Sequence, residues 1–279
     1  MTLWLILGCF LGPAGLGAQE PLRQEEPAAQ TPYVERSQRQ FTFYPGGKVE
    51  VTAAAAGSLK IIGWQRASVL AEIEKIIYRT APEQAKVLSG QFPVSVRWTQ
   101  TSATIRTYAP PESLAALEVN VTLYVPRDKT DIKAKLVKGD FAIGSISGWV
   151  EVNLDEGNIE ASSMGGYFSG ITRRGDLSVQ MSGSRWNGHS FTAVTQRGAV
   201  NLKLPVEYSA ALQLETRNGN IIVDYPEQQV EGESVPLHVV VKKNARSLTA
   251  TVGSGGAPVR LLSTVGNVSL SAINRPLSK

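Results

Sequence analysis

The chain has 279 residues, which is enough to bury a sizeable core as one or two domains. Charged residues make up only 19% of it, the formal net charge is +4, and no run of Lys and Arg occurs, so the composition argues against a nucleic-acid partner. The single cysteine, Cys9, lies in the N-terminal segment that we expect to be removed. The mature chain would then have no disulfide, no cysteine nucleophile and no thiolate metal site.

Residues 1–18 predict a secretory signal peptide. Leu3–Leu7 begin a short apolar core, although no Lys or Arg precedes it, and Leu16–Ala18 offers a small-residue cleavage site. The segment Ile6–Cys9 loosely resembles a lipoprotein box but comes too early, which makes lipidation the weaker alternative. The apolar run is too short to span a membrane, so we expect no transmembrane segment in the mature chain. An exported protein of the periplasm, the cell envelope or the extracellular space is expected.

The next segment, residues 19–40, is rich in Gln, Glu, Pro and Arg and predicts a flexible tether. Short strands follow from residue 41 onward. One short helix is predicted near 81–88, because Pro82 stands at its start and an acidic residue follows in the first turn. The strongest predicted strand is Leu117–Val125, where every second residue is apolar until Pro126 ends the pattern.

A repeat then sets the predicted architecture. Glycines recur every nine residues from Gly139 to Gly175, and each is followed by one variable residue and then an apolar one. This sequence pattern predicts a short strand after a sharp corner, since glycine adopts positive φ without penalty. Two units would form one coil of about 18 residues, and coils would stack with roughly 4.7–4.9 Å between neighbouring strands. The predicted fold class is therefore all-β, a β-solenoid or β-helix-like stack of 18-residue coils.

The repeat is most regular over 132–224, but its period loosens after Gly175. The next corner glycine, Gly198, comes 23 residues later, which indicates an insertion of about five residues within 182–188. Further strand-like segments continue to residue 274, and 275–279 are expected to fray. The predicted domain thus covers 41–274.

These features resemble a known family. The strand Leu117–Pro126 is followed by Arg127-Asp128, and a threonine stands three residues before several corner glycines. Together with the Gly63-Trp64 turn, this is similar to the bacterial putative-adhesin family of β-strand-repeat domains, formerly a domain of unknown function. The resemblance covers most of 41–274 and implies a single-chain β-solenoid, exported or envelope-attached, without established catalysis. It departs from the family pattern at the insertion and around 226–258.

Three corner residues recur at intervals of 18 and predict a column, namely Asp140, Asn158 and Asp176. Their oxygens could hold Ca²⁺. Asp and Asn also favour turns, because they bond their own backbone and tolerate left-handed geometry. We expect structural turns here, with no metal and no cofactor.

A second pair at the same interval, Trp149 and Tyr167, is expected to stack on neighbouring coils at the opposite corner. Exposed aromatic side chains can pack against sugar rings or a partner protein. Arginines just before the other corners, with the insertion, predict a positive edge that suits an anionic polysaccharide, an envelope component or a surface protein. A solvated edge that only keeps the stack soluble is the alternative. The predicted partner-binding residues are Trp149, Tyr167, Arg173, Arg174, Arg185, Trp186, Arg197 and Arg217.

Catalysis has little support in the sequence. Only His189 and His238 could serve as imidazole bases, and no acid is placed to complete a triad with Ser190. A lyase or glycosidase on the same scaffold remains an alternative, since Asp140 and Asp176 would lie roughly 9–10 Å apart across two coils. A structural or stress-sensing envelope scaffold, pairing through its open ends by strand addition, is another. The leading expectation is a non-enzymatic interaction module with no catalytic residue.

Overall fold

The computed structural model describes residues 31–78, 81–108, 117–230, 233–242 and 245–273, and the regular structure in these ranges is β-strand apart from one short helix. The first half of the chain contains β1 (Tyr33–Thr42), β2 (Lys48–Ala53), β3 (Leu59–Trp64), β4 (Ser68–Ile77), α1 (Pro82–Gln91), β5 (Ser95–Trp98), β6 (Ser102–Thr107), β7 (Leu117–Pro126), β8 (Asp131–Lys138) and β9 (Phe141–Gly144).

The second half contains β10 (Ser147–Glu156), β11 (Ile159–Ser162), β12 (Gly165–Arg174), β13 (Leu177–Gln180), β14 (Gly188–Arg197), β15 (Val200–Pro205), β16 (Ala210–Asn218), β17 (Ile221–Asp224), β18 (Gln228–Val230), β19 (Glu233–Val235), β20 (Val240–Lys242), β21 (Ala245–Val252), β22 (Pro258–Val265) and β23 (Val268–Ile273).

Two large sheets face each other across the core. Sheet A has ten strands in the order β1-β4-β7-β3-β9-β11-β13-β15-β23-β17, and sheet B has eleven in the order β20-β21-β16-β22-β14-β12-β10-β8-β2-β6-β5. Strands β18 and β19 form a separate antiparallel pair. Through the middle of both sheets the pairing is parallel, but antiparallel pairs such as β1–β4 and β16–β21 stand at the ends. Both sheets are therefore mixed and open at their edges, which differs from the uniform parallel stack that the repeat predicts.

The predicted 18-residue alignment is present in the middle of the molecule. Phe141 of β9 pairs with Ile159 of β11, and Ile159 pairs with Leu177 of β13, so these buried side chains lie one above the other. The facing strands of sheet B supply a matching inward row, in which Phe168 stacks on Phe191 with ring centroids 4.6 Å apart. Because alternate residues point inward, the strands in the middle of both sheets bury every second side chain and leave the others on an outer face.

The C-terminal coil does not stack in chain order. Strand β22 lies between β14 and β16, and β23 lies between β15 and β17, so 258–273 separate two coils that are neighbours in sequence. The predicted regular core of 132–224 is thus continuous only as far as β15.

The single helix of the described ranges covers Pro82–Gln91, slightly longer than the predicted 81–88. It packs against β1 and β4, where the buried Lys75 ammonium donates a 3.0 Å hydrogen bond to the Ser89 carbonyl oxygen.

The predicted tether of 19–40 differs from the structure over its second part. Residues 33–42 form β1, which pairs with β4 along its whole length. The strand is polar because most of its residues are exposed at the edge of sheet A, where Arg36 pairs with Glu74 at 2.7 Å. The signal peptide at 1–18, the first part of the tether at 19–30 and the tail at 275–279 lie outside the described residues.

Candidate binding surface

An aromatic pair stands on the outer face of sheet B. Trp149 and Tyr167 are partners near the starts of β10 and β12, and their rings stack with centroids 3.9 Å apart and planes at 19°. The expected stacking is therefore present. Trp149 is 47% exposed, and its indole N–H donates a 2.8 Å hydrogen bond to Glu151 Oε1. Its backbone N–H donates to Asp131 Oδ1 at 3.0 Å, so the pair is held in place before any partner arrives.

Trp186 does not belong to this surface, which corrects the prediction. It is only 4% exposed, its indole N–H donates to the Gly166 carbonyl oxygen at 3.0 Å, and its ring meets Phe191 edge-on. The insertion thus folds over one corner of the core, between β13 and β14, and the large indole covers Phe191 there. Part of the insertion is a bulge, because Gly166 pairs with Gly188 whereas Tyr167 pairs with Ser190.

Four of the predicted arginines lie at the other end of sheet B. Arg173 and Arg174 end β12, and Arg197 and Arg217 lie at the ends of β14 and β16. Arg173 lies six positions after Tyr167 on β12, which is roughly 20 Å at the usual rise of an extended chain. The single edge that the sequence predicts is therefore two separate regions.

Two of those four arginines have anionic neighbours. Arg173 Nη1 lies 3.4 Å from Asp155 Oδ1, and Arg174 forms an ion pair with Glu156. Each pair joins β12 to β10. Part of the positive charge predicted for this edge is thus matched by carboxylates, which favours the solvated-edge alternative for Arg173 and Arg174.

A polar groove lies beside the aromatic pair, at the corner where the chain passes from sheet A to sheet B. Its volume is about 560 Å³, and its lining includes Arg127, Asp128, Ser147 and Arg185. The insertion forms one wall, held where the Ser209 backbone N–H donates to the Ser184 carbonyl oxygen at 2.7 Å.

The groove and the aromatic pair are neighbours on one face. Ser147 and Trp149 are two residues apart on β10, so both point to the outer face and their Cα atoms are about 7 Å apart. Sequence reasoning missed Arg127 as a site residue, because it lies 58 positions from Arg185 and only the fold brings both to one groove.

A short apolar row extends the same face. Ile171 is 38% exposed, and the register places it beside Val194, which in turn lies beside Leu262. The outer face of sheet A is different, since Ser178 and Asn201 are polar partners there. The sequence offered no signal for this row, because its members come from distant segments.

The corner column of Asp140, Asn158 and Asp176 joins coils to one another. The Asn158 N–H donates to Asp140 Oδ1 at 2.9 Å, the Asp176 N–H donates to Asn158 Oδ1 at 2.9 Å, and the Ala199 N–H donates to Asp176 Oδ1 at 2.7 Å. Each side chain thus caps the next coil rather than bonding its own backbone, which corrects the physical reason given by the sequence. Within the described ranges no group of three or more His, Cys, Asp and Glu side chains is placed to hold a metal ion.

The two histidines are exposed and far apart in the chain. His189 is the extra residue of the insertion bulge, and His238 lies outside the strands, since β20 begins only at Val240. The strand in this part of the chain covers only Val240–Lys242.

Comparisons with known proteins identify no family for this chain, since neither a family model nor a curated protein matches it. Solved structures that resemble it include a putative cell adhesion protein from Clostridium sporogenes, 12% identical, covering 86% of this chain and 100% of that one with a TM-score of 0.44. A putative adhesin from Bacteroides fragilis is 11% identical and covers 86% and 97%, with a TM-score of 0.27. A putative lipid binding protein from Parabacteroides distasonis is 11% identical with the same coverage and a TM-score of 0.28.

No helix in the described part of the chain combines the length and the apolar character that crossing a bilayer would require.

Proposed function

We propose that this chain is an exported, non-enzymatic β-solenoid of the adhesin type, an interaction module that binds a polymeric or protein partner along its side. The observation that carries the proposal is the stacked Trp149–Tyr167 pair, half exposed on the outer face of sheet B. Large rings that are already ordered offer contact area at a small entropic cost, because few rotatable bonds remain to be fixed.

The surroundings of the pair suit a long partner. The apolar row that includes Ile171 lies four residues further along β12, about 13 Å away on the same face. A partner lying across sheet B would meet the rings first and the apolar row next. Such a shallow, extended surface is typical of binding to polymers and proteins rather than of an enclosed substrate pocket.

The non-enzymatic part of the proposal is supported by the hydrogen bonds that the two candidate carboxylates make. Asp140 and Asp176 each accept a backbone hydrogen bond from the next coil, so both act in coil-to-coil packing. Capping a neighbouring strand is a structural role, so the corner column is explained without a catalytic one.

Retention on immobilised polysaccharides tests the proposal. We expect Trp149→Ala to weaken retention about tenfold or more, since the loss of one buried aromatic anchor commonly costs over 1.4 kcal/mol. Trp98→Ala is the matched control, because Trp98 is also stacked, on Phe41, and is 49% exposed on β5 at the far edge of the same sheet. Circular dichroism confirms that both variants fold. Equal retention of the wild-type protein and Trp149→Ala would refute the proposed surface.

Export is tested separately. Fusion of residues 1–40 to a reporter enzyme that is active only outside the cytoplasm should give activity, and the same fusion without 1–18 should give none. Activity that is the same with and without 1–18 would contradict the proposed export.

A further inference from the structure

We propose that the corner groove takes the acidic group of an anionic glycan whose sugar rings pack on Trp149 and Tyr167. This inference rests on the proposed function and names the ligand class for the same surface. It is carried by the groove itself and by its position directly beside the exposed rings.

The charges of the groove favour an anion. Arg127 and Arg185 line it, and neither guanidinium lies within ion-pair distance of a carboxylate among the residues that the structure describes. One carboxylate, Asp128, also lines the groove, so the lining carries a net charge of +1. Guanidinium groups bind carboxylate and sulfate well, because their planar N–H donors match two oxygens at once.

The remaining lining supplies neutral polar partners. Ser147, Ser163 and Asn187 are placed around the groove, and hydroxyl and amide groups can both donate to and accept from sugar hydroxyls. Ser163 has a positive φ of 51°, a backbone conformation that non-glycine residues rarely adopt and that turns the chain sharply at this corner. The groove therefore combines two cations with neutral hydrogen-bonding groups. An acidic sugar needs both kinds of partner, one for its carboxylate and the other for its hydroxyls.

The position of the groove favours a glycan over a free anion. Ser147 lines the groove and lies on the outer face of sheet B, where its Cα is about 7 Å from that of Trp149 along β10. Neighbouring residues of one glycan chain can bridge this distance. A free inorganic anion would make no use of the aromatic rings.

The test compares a uronic-acid oligosaccharide with its carboxyl-reduced, neutral counterpart by isothermal titration calorimetry on the full chain. We expect the wild-type protein to bind the acidic form about tenfold or more tightly than the neutral one, because a charge-assisted pair contributes that much. Adding salt should reduce the difference. In Arg127→Ala and Arg185→Ala the two forms should bind equally, whereas Trp149→Ala should weaken both. Arg39→Ala, exposed on β1 at the outer edge of sheet A, is the control and should behave like the wild-type protein.

Each other outcome is decisive. If the wild-type protein binds both forms equally and Trp149→Ala weakens both, the proposed function stands and the acidic subsite is refuted. If the arginine variants keep the preference for the acidic form, the groove is not its source. If inorganic sulfate alone binds and neither oligosaccharide does, or if an acidic peptide binds in place of the glycan, the assigned ligand class is wrong. Binding of both forms that Trp149→Ala leaves unchanged would refute the aromatic surface itself.

Discussion

At the residue level, buried hydroxyl groups form hydrogen bonds between the glycine corners of adjacent coils. Thr172, Thr195 and Thr216 are fully buried, and each Oγ1 donates to the carbonyl oxygen of a corner glycine in the adjacent coil at 2.7–3.1 Å. Ser263 does the same for Gly198 at 2.8 Å. A buried carbonyl without a partner costs about 1–3 kcal/mol, so these hydroxyls make the tight corners tolerable.

The corner glycines themselves are the most sensitive positions. Gly157 has φ of +139°, and a Cβ there would lie 2.1 Å from the Gly139 carbonyl oxygen. We expect Gly157→Ala to lower the free energy of unfolding by about 3 kcal/mol or more, since both the backbone conformation and the space are wrong for alanine. Urea denaturation followed by circular dichroism measures the change.

The matched control is Gly90→Ala in α1, where the added Cβ meets nothing within 4 Å. This change should be neutral or stabilise by up to about 1 kcal/mol, because alanine favours the helix. Similar losses in the two variants would contradict the account of the corners.

Tyr208 makes stability depend on pH at the alkaline end. Burial raises the pKa of its phenol well above the ordinary value of 10.0. The unfolded chain therefore releases this proton at a lower pH than the folded chain. The contribution is fully present below pH 10 and is lost as the pH rises above it. Between about pH 9 and about pH 11, the free energy of unfolding should fall less steeply in Tyr208→Phe than in the wild-type protein. Identical slopes would contradict this role of Tyr208.

At the level of secondary-structure elements, the insertion between β13 and β14 covers one corner of the core. It adds one bulge residue to β14, and Trp186 packs against Phe191 beneath it. The same segment forms a wall of the corner groove. One short insertion thus both closes the core and shapes the surface on which a ligand would sit.

The two tryptophans of this region should respond differently to truncation. Trp186→Ala should lower the free energy of unfolding by about 3–5 kcal/mol, because it removes a buried ring and leaves the Gly166 carbonyl oxygen without its donor. Trp149→Ala should cost about 1 kcal/mol, since it removes the stacking on Tyr167 and one exposed hydrogen bond to Glu151 but no buried contact. Urea denaturation of both variants measures the difference. Equal losses would mean that the insertion does not anchor the corner.

In the molecule as a whole, the last two strands, β22 and β23, connect strands β16 and β17 to the rest of the two sheets. Strands β22 and β23 separate the coil of β14 and β15 from the coil of β16 and β17. Strands β16 and β17 precede β22 and β23 in the chain, but they join the rest of the two sheets through these later strands. Contacts between such distant segments form late and slowly, because loop closure must come first.

Truncation after Asp224 tests this order. Without β21, β22 and β23, the strands β16 and β17 lose every sheet partner recorded for them. We expect their amides to exchange rapidly with solvent, whereas those of β9, β11 and β13 should stay protected. Hydrogen exchange followed by mass spectrometry gives the comparison. Protection of β16 and β17 equal to that in the full chain would show that they stack directly on β14 and β15.

The local structure of this protein could be predicted from its amino-acid pattern alone. Nine-residue glycine spacing fixed where corners fall, and alternating apolar residues fixed which side chains point inward, as the pairing of Phe141, Ile159 and Leu177 shows. The alternating run from Leu117 became β7, and Pro82 marked the helix start. These properties are local, because strand alternation and glycine geometry depend only on neighbouring residues.

Which segments meet could be learned only from the folded structure. It placed β22 and β23 inside the stack, paired the polar β1 with β4, and buried Trp186. Arg173 and Arg197 lie at the C-terminal ends of their strands, whereas the aromatic rings lie near the strand starts. Strand order and burial depend on long-range contacts, and many orders satisfy the same repeat equally well. The groove between Arg127 and Arg185 is of this kind, since it arises from a corner and an insertion that the sequence keeps far apart.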